Sequence, residues 1–201
     1  MLTSTVLVVT LAVALGLRGS THFTQSVGAE RACTTSSLKI TASANGGLGH
    51  GAYVIEFHNV SAQRCKLAGY PRIVAPLVAS TTRGAPGEIA PLPSQISIIA
   101  RDELSGYAGG IIGSVTQMRR YAHSVPIISL SAHTGIASSA VEWIDMSPNQ
   151  VTKCSTITHL LVTPPGQSRQ VAIPIDAFGL LCSAMYVHPI VLGNSGFLNL
   201  G

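Results

Sequence analysis

Charged side chains are scarce in this 201-residue chain: Asp, Glu, Lys and Arg make up 10% of it, against 46% hydrophobic residues. That balance excludes the charge-rich, apolar-poor composition of disordered chains, so a packed core is expected, and the length suits one domain. The formal net charge is +4, but the basic residues are scattered and Arg119-Arg120 is the only adjacent pair, so no nucleic-acid partner is expected. Long amphipathic helical patterns are missing, and after the first stretch no run of apolar residues is long enough to span a bilayer. Cysteine is limited to four residues, with no C-x-x-C and no His at finger-like spacing, which argues against a zinc module. The Gly-x-Ser-x-Gly elbow of a serine hydrolase is missing too.

What is present begins with an address. Val6 to Leu17 reads VLVVTLAVALGL, which is short for a membrane span and suited to the apolar region of a secretory signal. Val27-Gly28-Ala29 supplies the small residues that signal peptidase accepts, making residues 1–29 a signal peptide and Glu30 the mature N-terminus. No Lys or Arg precedes the apolar run, which leaves a second reading open: an uncleaved anchor, Met1 to Leu17, with Arg18 at its edge. A lipid anchor on Cys33 is disfavoured, because Glu30-Arg31-Ala32 lacks the apolar residue that such signals carry. Either reading puts the remainder, residues 30–201, in a secreted or extracytoplasmic place, with membrane contact only through the N-terminal segment if that stays attached.

An even number of cysteines in an exported chain implies disulfides, and the strand pattern selects the pairing. Leu38 to Ser43 alternates with a period of two, Asn45-Gly46-Gly47 makes a turn, and Tyr53 to His58 alternates again, so the hairpin returns the chain to its start and puts Cys65 near Cys33. Leu160 to Val162 and Gln170 to Ile173 flank Pro164-Pro165-Gly166 in the same way, which brings Cys154 to Cys182. The expected bridges are Cys33–Cys65 and Cys154–Cys182. Further strands are expected at Arg72 to Val78, Gln95 to Ala100, Pro126 to Ser131, Ser138 to Ile144 and Met185 to Ile190. Short strands separated by turn residues favour an all-β fold, an immunoglobulin-like two-sheet β-sandwich. Asp102 to His123, with Gly106, Gly109, Gly110 and Gly113, reads as a long loop or insertion where function could lie.

The run Gly47-Leu48-Gly49-His50, followed by Tyr53, Phe57, Asn59, Ser61, Cys65, Leu67 and Gly69-Tyr70-Pro71, resembles the opening of the actinobacterial DUF4232 domain family. Ala140-Val141-Glu142-Trp143, Cys154, Leu161-Val162-Thr163-Pro164-Pro165-Gly166, Cys182 and Val187-His188-Pro189 are similar to its second half, so the resemblance runs from Cys33 to Ile190. Two departures stand out: Ser131-Ala132-His133-Thr134-Gly135 replaces a Pro-Gly, and the 102–123 segment is expanded. The resemblance implies an exported envelope protein of actinobacterial type; the family's function is unknown, so it transfers no catalytic residue.

The candidate chemistry is sparse. His50, His58, His123, His133, His159 and His188 follow the signal region, yet none is spaced as a metal pair, so neither a metal nor a cofactor is expected; converging histidines would be the basis of the alternative, a metal-binding exported protein or metal-dependent enzyme. Acid-base catalysis by Glu56, Glu142, Asp145 or Asp176 would need two carboxylates in one cleft, and Glu142, between Val141 and Trp143, is expected to face solvent. Trp143 is expected in the core and Asn59-Val60-Ser61 as an Asx-capped turn. Gly69-Tyr70-Pro71 marks a tight strand start, and Tyr70, Tyr107 and Tyr121 are the candidate ligand-binding residues, aromatic faces suited to stacking. The expectation is a non-catalytic envelope module whose partner is an envelope polymer or envelope protein, or else a purely structural one.

Overall fold

The computed structural model describes residues 30–47, 49–77, 97–145, 154–175 and 180–200. Residues 1–29, where a signal peptide is expected, and Leu48, Val78, Gln95, Ile96 and Asp176 lie outside the described residues. The described chain is mostly β. A single 3-10 turn at Thr35–Ser37 precedes β1 (Leu38–Ala44), β2 (His50–Asn59), β3 (Cys65–Ala68), β4 (Arg72–Pro76), β5 (Ser97–Ile99), β6 (Arg101–Asp102) and β7 (Gly110–Ile112). A five-residue helix, α1 (Val115–Arg119), follows; then come β8 (Ile127–Leu130), β9 (Ile136–Ile144), β10 (Ser155–Thr156), β11 (His159–Thr163), β12 (Val171–Pro174), β13 (Leu180–Leu181), β14 (Met185–Val187), β15 (Val191–Leu192) and β16 (Phe197–Asn199).

The largest sheet has the order β1-β2-β9-β14-β6, with β15 also on β9. A second sheet runs β12-β11-β4-β5, and three two-stranded ribbons, β3-β8, β10-β13 and β7-β16, complete the described structure. The core follows from the period of two. Tyr53, Ile55 and Phe57 on β2, Val141 and Trp143 on β9, and Met185 and Val187 on β14 share one face of the large sheet. They join Ile73 and Ala75 of β4, Leu160 and Val162 of β11 and Ile173 of β12 in one cluster, closed by Leu67 and Leu130. Trp143 is buried there, stacked beside Tyr53 with ring centroids 6.1 Å apart.

Both disulfides join the ends that the hairpins bring together. Cys33 precedes β1 and bonds to Cys65 at the start of β3; Cys154 precedes β10 and bonds to Cys182 just after β13. Backbone pairing supports each crosslink: the Cys33 N–H donates to the Lys66 carbonyl at 3.0 Å, and Ser155 pairs with Leu181. Each bond closes a loop of about 30 residues, worth roughly 3–4 kcal/mol through the restricted unfolded chain.

Three expectations need correction. Strand β2 starts at His50 rather than Tyr53, and the strand expected over Met185 to Ile190 ends at Val187: the His188 N–H still donates to the Ala140 carbonyl in register, but Pro189 has no N–H with which to continue the ladder. The 102–123 segment is not an irregular loop: it contains β7, parallel to β16, and the Ser114-capped helix α1. The third correction concerns the outer face of the large sheet. Alternation in β2 and β9 implied one solvated face, yet Ala52, Val54, Ser138, Ala140 and Glu142 are all buried. Segments 104–112 and 194–200 lie on that face, as the packing at Ala140 shows. A Cβ on Gly109 would meet the Ala140 Cβ, and one on Gly196 would come within 3.3 Å of both Ala140 and Val54, so only backbone fits so closely.

Candidate functional site

Glu142 organises that covered face. It stands opposite Ala52 in the β2–β9 ladder and keeps only 7% of its surface exposed, against the expectation that it faced water. The reason is a tight turn that descends on it: the Gly106 N–H donates to the Gly109 carbonyl at 2.9 Å, which aims the two intervening amides at the carboxylate. The Ala108 N–H donates to Oε2 at 2.6 Å and the Tyr107 N–H to Oε1 at 3.2 Å. Gly106 is required by this approach, since a Cβ there would strike Glu142 Oε1 and lie 2.8 Å from His188 Cε1.

His188 completes the arrangement and is wholly buried. Its Nδ1 lies 3.0 Å from the Glu103 carbonyl, which only accepts, so Nδ1 carries a hydrogen. Its Nε2 lies 3.4 Å from Glu142 Oε1. Burial pushes the Glu142 carboxyl pKa up, but the His188 contact and the Ala108 and Tyr107 amides outweigh it and leave the pKa below the ordinary value. Residues 106–108 are therefore fastened to the sheet through a buried anion.

The consequence at the surface is the placement of Tyr107. Its backbone is held by Glu142, yet its side chain leaves the residue 60% exposed, the ring stacked on His50 with centroids 4.6 Å apart and planes 20° from parallel. His50 is set at the β1–β2 turn by reciprocal backbone bonds with Gly47, at 2.9 and 3.1 Å. Gly47 has no Cβ to obstruct the Tyr107 hydroxyl, which occupies that space. The result is an exposed aromatic ring, backed by an imidazole, on a tethered backbone.

The three candidate tyrosines occupy different settings. Tyr70 is half-buried against the core, and burial, with the Asp102 charge adding to it, raises its pKa. Tyr121 is half-exposed just after α1, its N–H donating to the Met118 carbonyl at 2.9 Å. Two open clefts, of about 410 and 520 Å³, are lined by none of these rings.

The histidines are spread out. His58 Nε2 lies 3.0 Å from the His133 carbonyl, and His159 Nδ1 lies 3.1 Å from the Thr158 hydroxyl. Among the described residues no three His, Cys, Asp or Glu side chains converge as a metal site would require. Asn59 is fully buried: its Nδ2 donates to the carbonyls of Gln63, Leu130 and Ser131, while its Oδ1 accepts from the Ser61 N–H at 3.0 Å, the Asx turn expected there.

Sequence reasoning missed the roles of Glu142 and His188. The available signal was the cluster Gly106, Gly109 and Gly110 together with Ala140, small residues that permit backbone to approach a sheet closely. No helix among the described residues is long and apolar enough to cross a membrane.

The model of the family described as a domain of unknown function, DUF4232, matches residues 33–90. That stretch begins at the first disulfide cysteine and includes β1 to β4. No curated protein and no solved structure matches the chain.

Proposed function

We propose that this chain is an exported cell-envelope protein of actinobacterial type whose role is binding rather than catalysis, with its strands forming an immunoglobulin-like two-sheet sandwich. The N-terminal apolar run of the sequence and the two disulfides support export, since such bonds persist in oxidising compartments. The observation that carries the binding reading is Tyr107: a large aromatic surface left in solvent while its backbone is anchored by a buried carboxylate. Rigid aromatic faces lose little entropy on binding and offer a flat apolar surface to a sugar ring, so a wall polysaccharide is the ligand class favoured here.

The test is retention of the oxidised full chain on purified bacterial cell walls, compared with Tyr107→Ala and His50→Ala. Saturable retention by the unaltered chain, weakened about tenfold by Tyr107→Ala and less by His50→Ala, is expected from the loss of one stacking face. Equal retention by all three proteins would remove Tyr107 from the reading. Absence of retention by any would leave the structural role in its place.

A further inference from the structure

We propose that α1 and its flanks form a docking surface for an anionic lipid bilayer, with Val115 and Arg119 at its tip and Ile112, Met118, Arg120 and Tyr121 around them. This surface shares no residue with the Tyr107 platform and does not depend on that reading.

None of the residues of α1 is buried. A helix in a folded domain ordinarily lays its apolar side chains on the core, yet Val115 is 71% exposed and Ile112, just before the helix, 41%. The helix is nevertheless fixed in place. Ser114 and Gln117 cap it reciprocally, the Gln117 amide donates to the Leu200 carbonyl at 2.9 Å, and the Leu200 N–H donates to the Ile112 carbonyl at 2.8 Å. Those bonds also orient it. Residues advance by about 100° around a helix, so the side facing away from Gln117 carries Val115 and Arg119, one turn apart. Met118 and Arg120 flank them, Arg120 with helical backbone angles. Tyr121 follows, half-exposed, its N–H donating to the Met118 carbonyl at 2.9 Å.

Charge selects the partner. Arg119 and Arg120 are both exposed, and neither has a salt bridge or side-chain hydrogen bond among the described residues. No Asp or Glu occurs in the sequence from Leu104 to Val141, the stretch that contains the whole feature. None of these six residues lines either open cleft, so they present a projection and not a groove that a peptide would fill. Apolar side chains beside unpaired guanidinium groups match the interface of a bilayer. Val115 and Ile112 enter the acyl boundary, while the arginines reach anionic headgroups from their aliphatic stems.

The test uses the full oxidised chain with vesicles of phosphatidylglycerol and phosphatidylcholine, against phosphatidylcholine alone. The chain has one tryptophan, Trp143, buried in the core, so a second placed at the tip reports its own surroundings. Emission from Val115→Trp is expected to move to the blue, saturably, with the anionic vesicles only; Ile99→Trp, at an exposed position on β5, is expected to keep its emission. Affinity in sedimentation with the same vesicles should fall about fivefold in Arg119→Gln and in Arg120→Gln, the effect of one basic residue near an anionic surface, and should fall also in Val115→Ser. Lys39→Gln removes the same charge from an exposed position on β1 and is expected to change it much less. Since the substituted side chains lie outside the core, unfolding midpoints should match the native chain. Sedimentation without a shift in Val115→Trp would overturn the proposal by assigning membrane contact to the N-terminal apolar run. Equal losses in Lys39→Gln and Arg119→Gln would reduce it to diffuse attraction. Absence of anion-dependent sedimentation would remove the bilayer as partner, and Arg119-dependent retention on cell walls in that case would put an anionic wall polymer in its place.

Discussion

Glu142 Oε1 lies 3.4 Å from His188 Nε2, a carboxylate and an imidazole both buried beneath the 104–112 segment. Neither residue touches the aromatic surface offered to solvent through its own side chain, yet the backbone that carries Tyr107 is tied to Glu142.

Glu142→Gln is expected to destabilise the fold by about 2–4 kcal/mol, because the Tyr107 and Ala108 N–H groups donate to separate carboxylate oxygens and an amide nitrogen in place of either would face a donor. Urea unfolding measures the loss, and hydrogen exchange at Tyr107 and Ala108 should accelerate with it. The pH dependence has a definite sign. A carboxyl whose folded pKa is lowered stabilises fully above its ordinary value of 4.5, and that stabilisation disappears as pH falls through the lower folded value. The stability difference between the native chain and Glu142→Gln should therefore be constant near neutrality and shrink below pH 4.5; a difference that stays constant into acid would show that the charge is not what holds the segment.

Gly109→Ala is expected to cost about 1–3 kcal/mol by forcing a methyl against Ala140 and to within 2.8 Å of the Gly196 carbonyl. Ala140→Gly relieves only the first of these contacts, so the double variant should recover part of the loss. A thermodynamic cycle on the two positions measures that coupling; strictly additive effects would mean that Gly109 and Ala140 do not pack together.

Asn59→Asp should be more damaging than Asn59→Ala. Three carbonyls face the Asn59 amide at 2.8, 3.0 and 3.3 Å, and a carboxylate would offer them no donor while adding a buried charge. Alanine only leaves the carbonyls unpaired, at about 1–3 kcal/mol. Denaturant midpoints at neutral pH rank the two variants.

Tyr70 should resist ionisation, since burial and then the Asp102 charge both raise its pKa. Asp102→Asn removes the second cause and should lower the Tyr70 pKa while leaving it above the ordinary value. Phenolate absorbance in an alkaline titration, with Tyr70→Phe to identify the transition, gives the shift.

Much of the strand pattern was legible: Leu38 to Ala44 carries the alternation that half-buried ribbons impose, the apolar run Leu160 to Val162 is bounded by the Pro164-Pro165-Gly166 turn, and the two hairpins locate the cysteine pairs. Strands of two or three residues, such as Ser155–Thr156 and Phe197–Asn199, were not legible, since so few residues establish no period and their pairing comes from distant neighbours. The Tyr107 platform was half legible. Tyr107 stood out as an aromatic in a glycine-rich segment, but its partner His50 lies 57 positions away in the chain and its anchor Glu142 looked like an ordinary outward residue.

The order of residues alone determined that this protein is β-rich and which sulfurs meet, because alternation and turn chemistry act between near neighbours. Which face of β9 meets water was decided only when residues 104–112 and 194–200 settled over Ala140. A side chain's period reports the two faces of a strand, and burial of the second face depends on what the rest of the chain lays upon it.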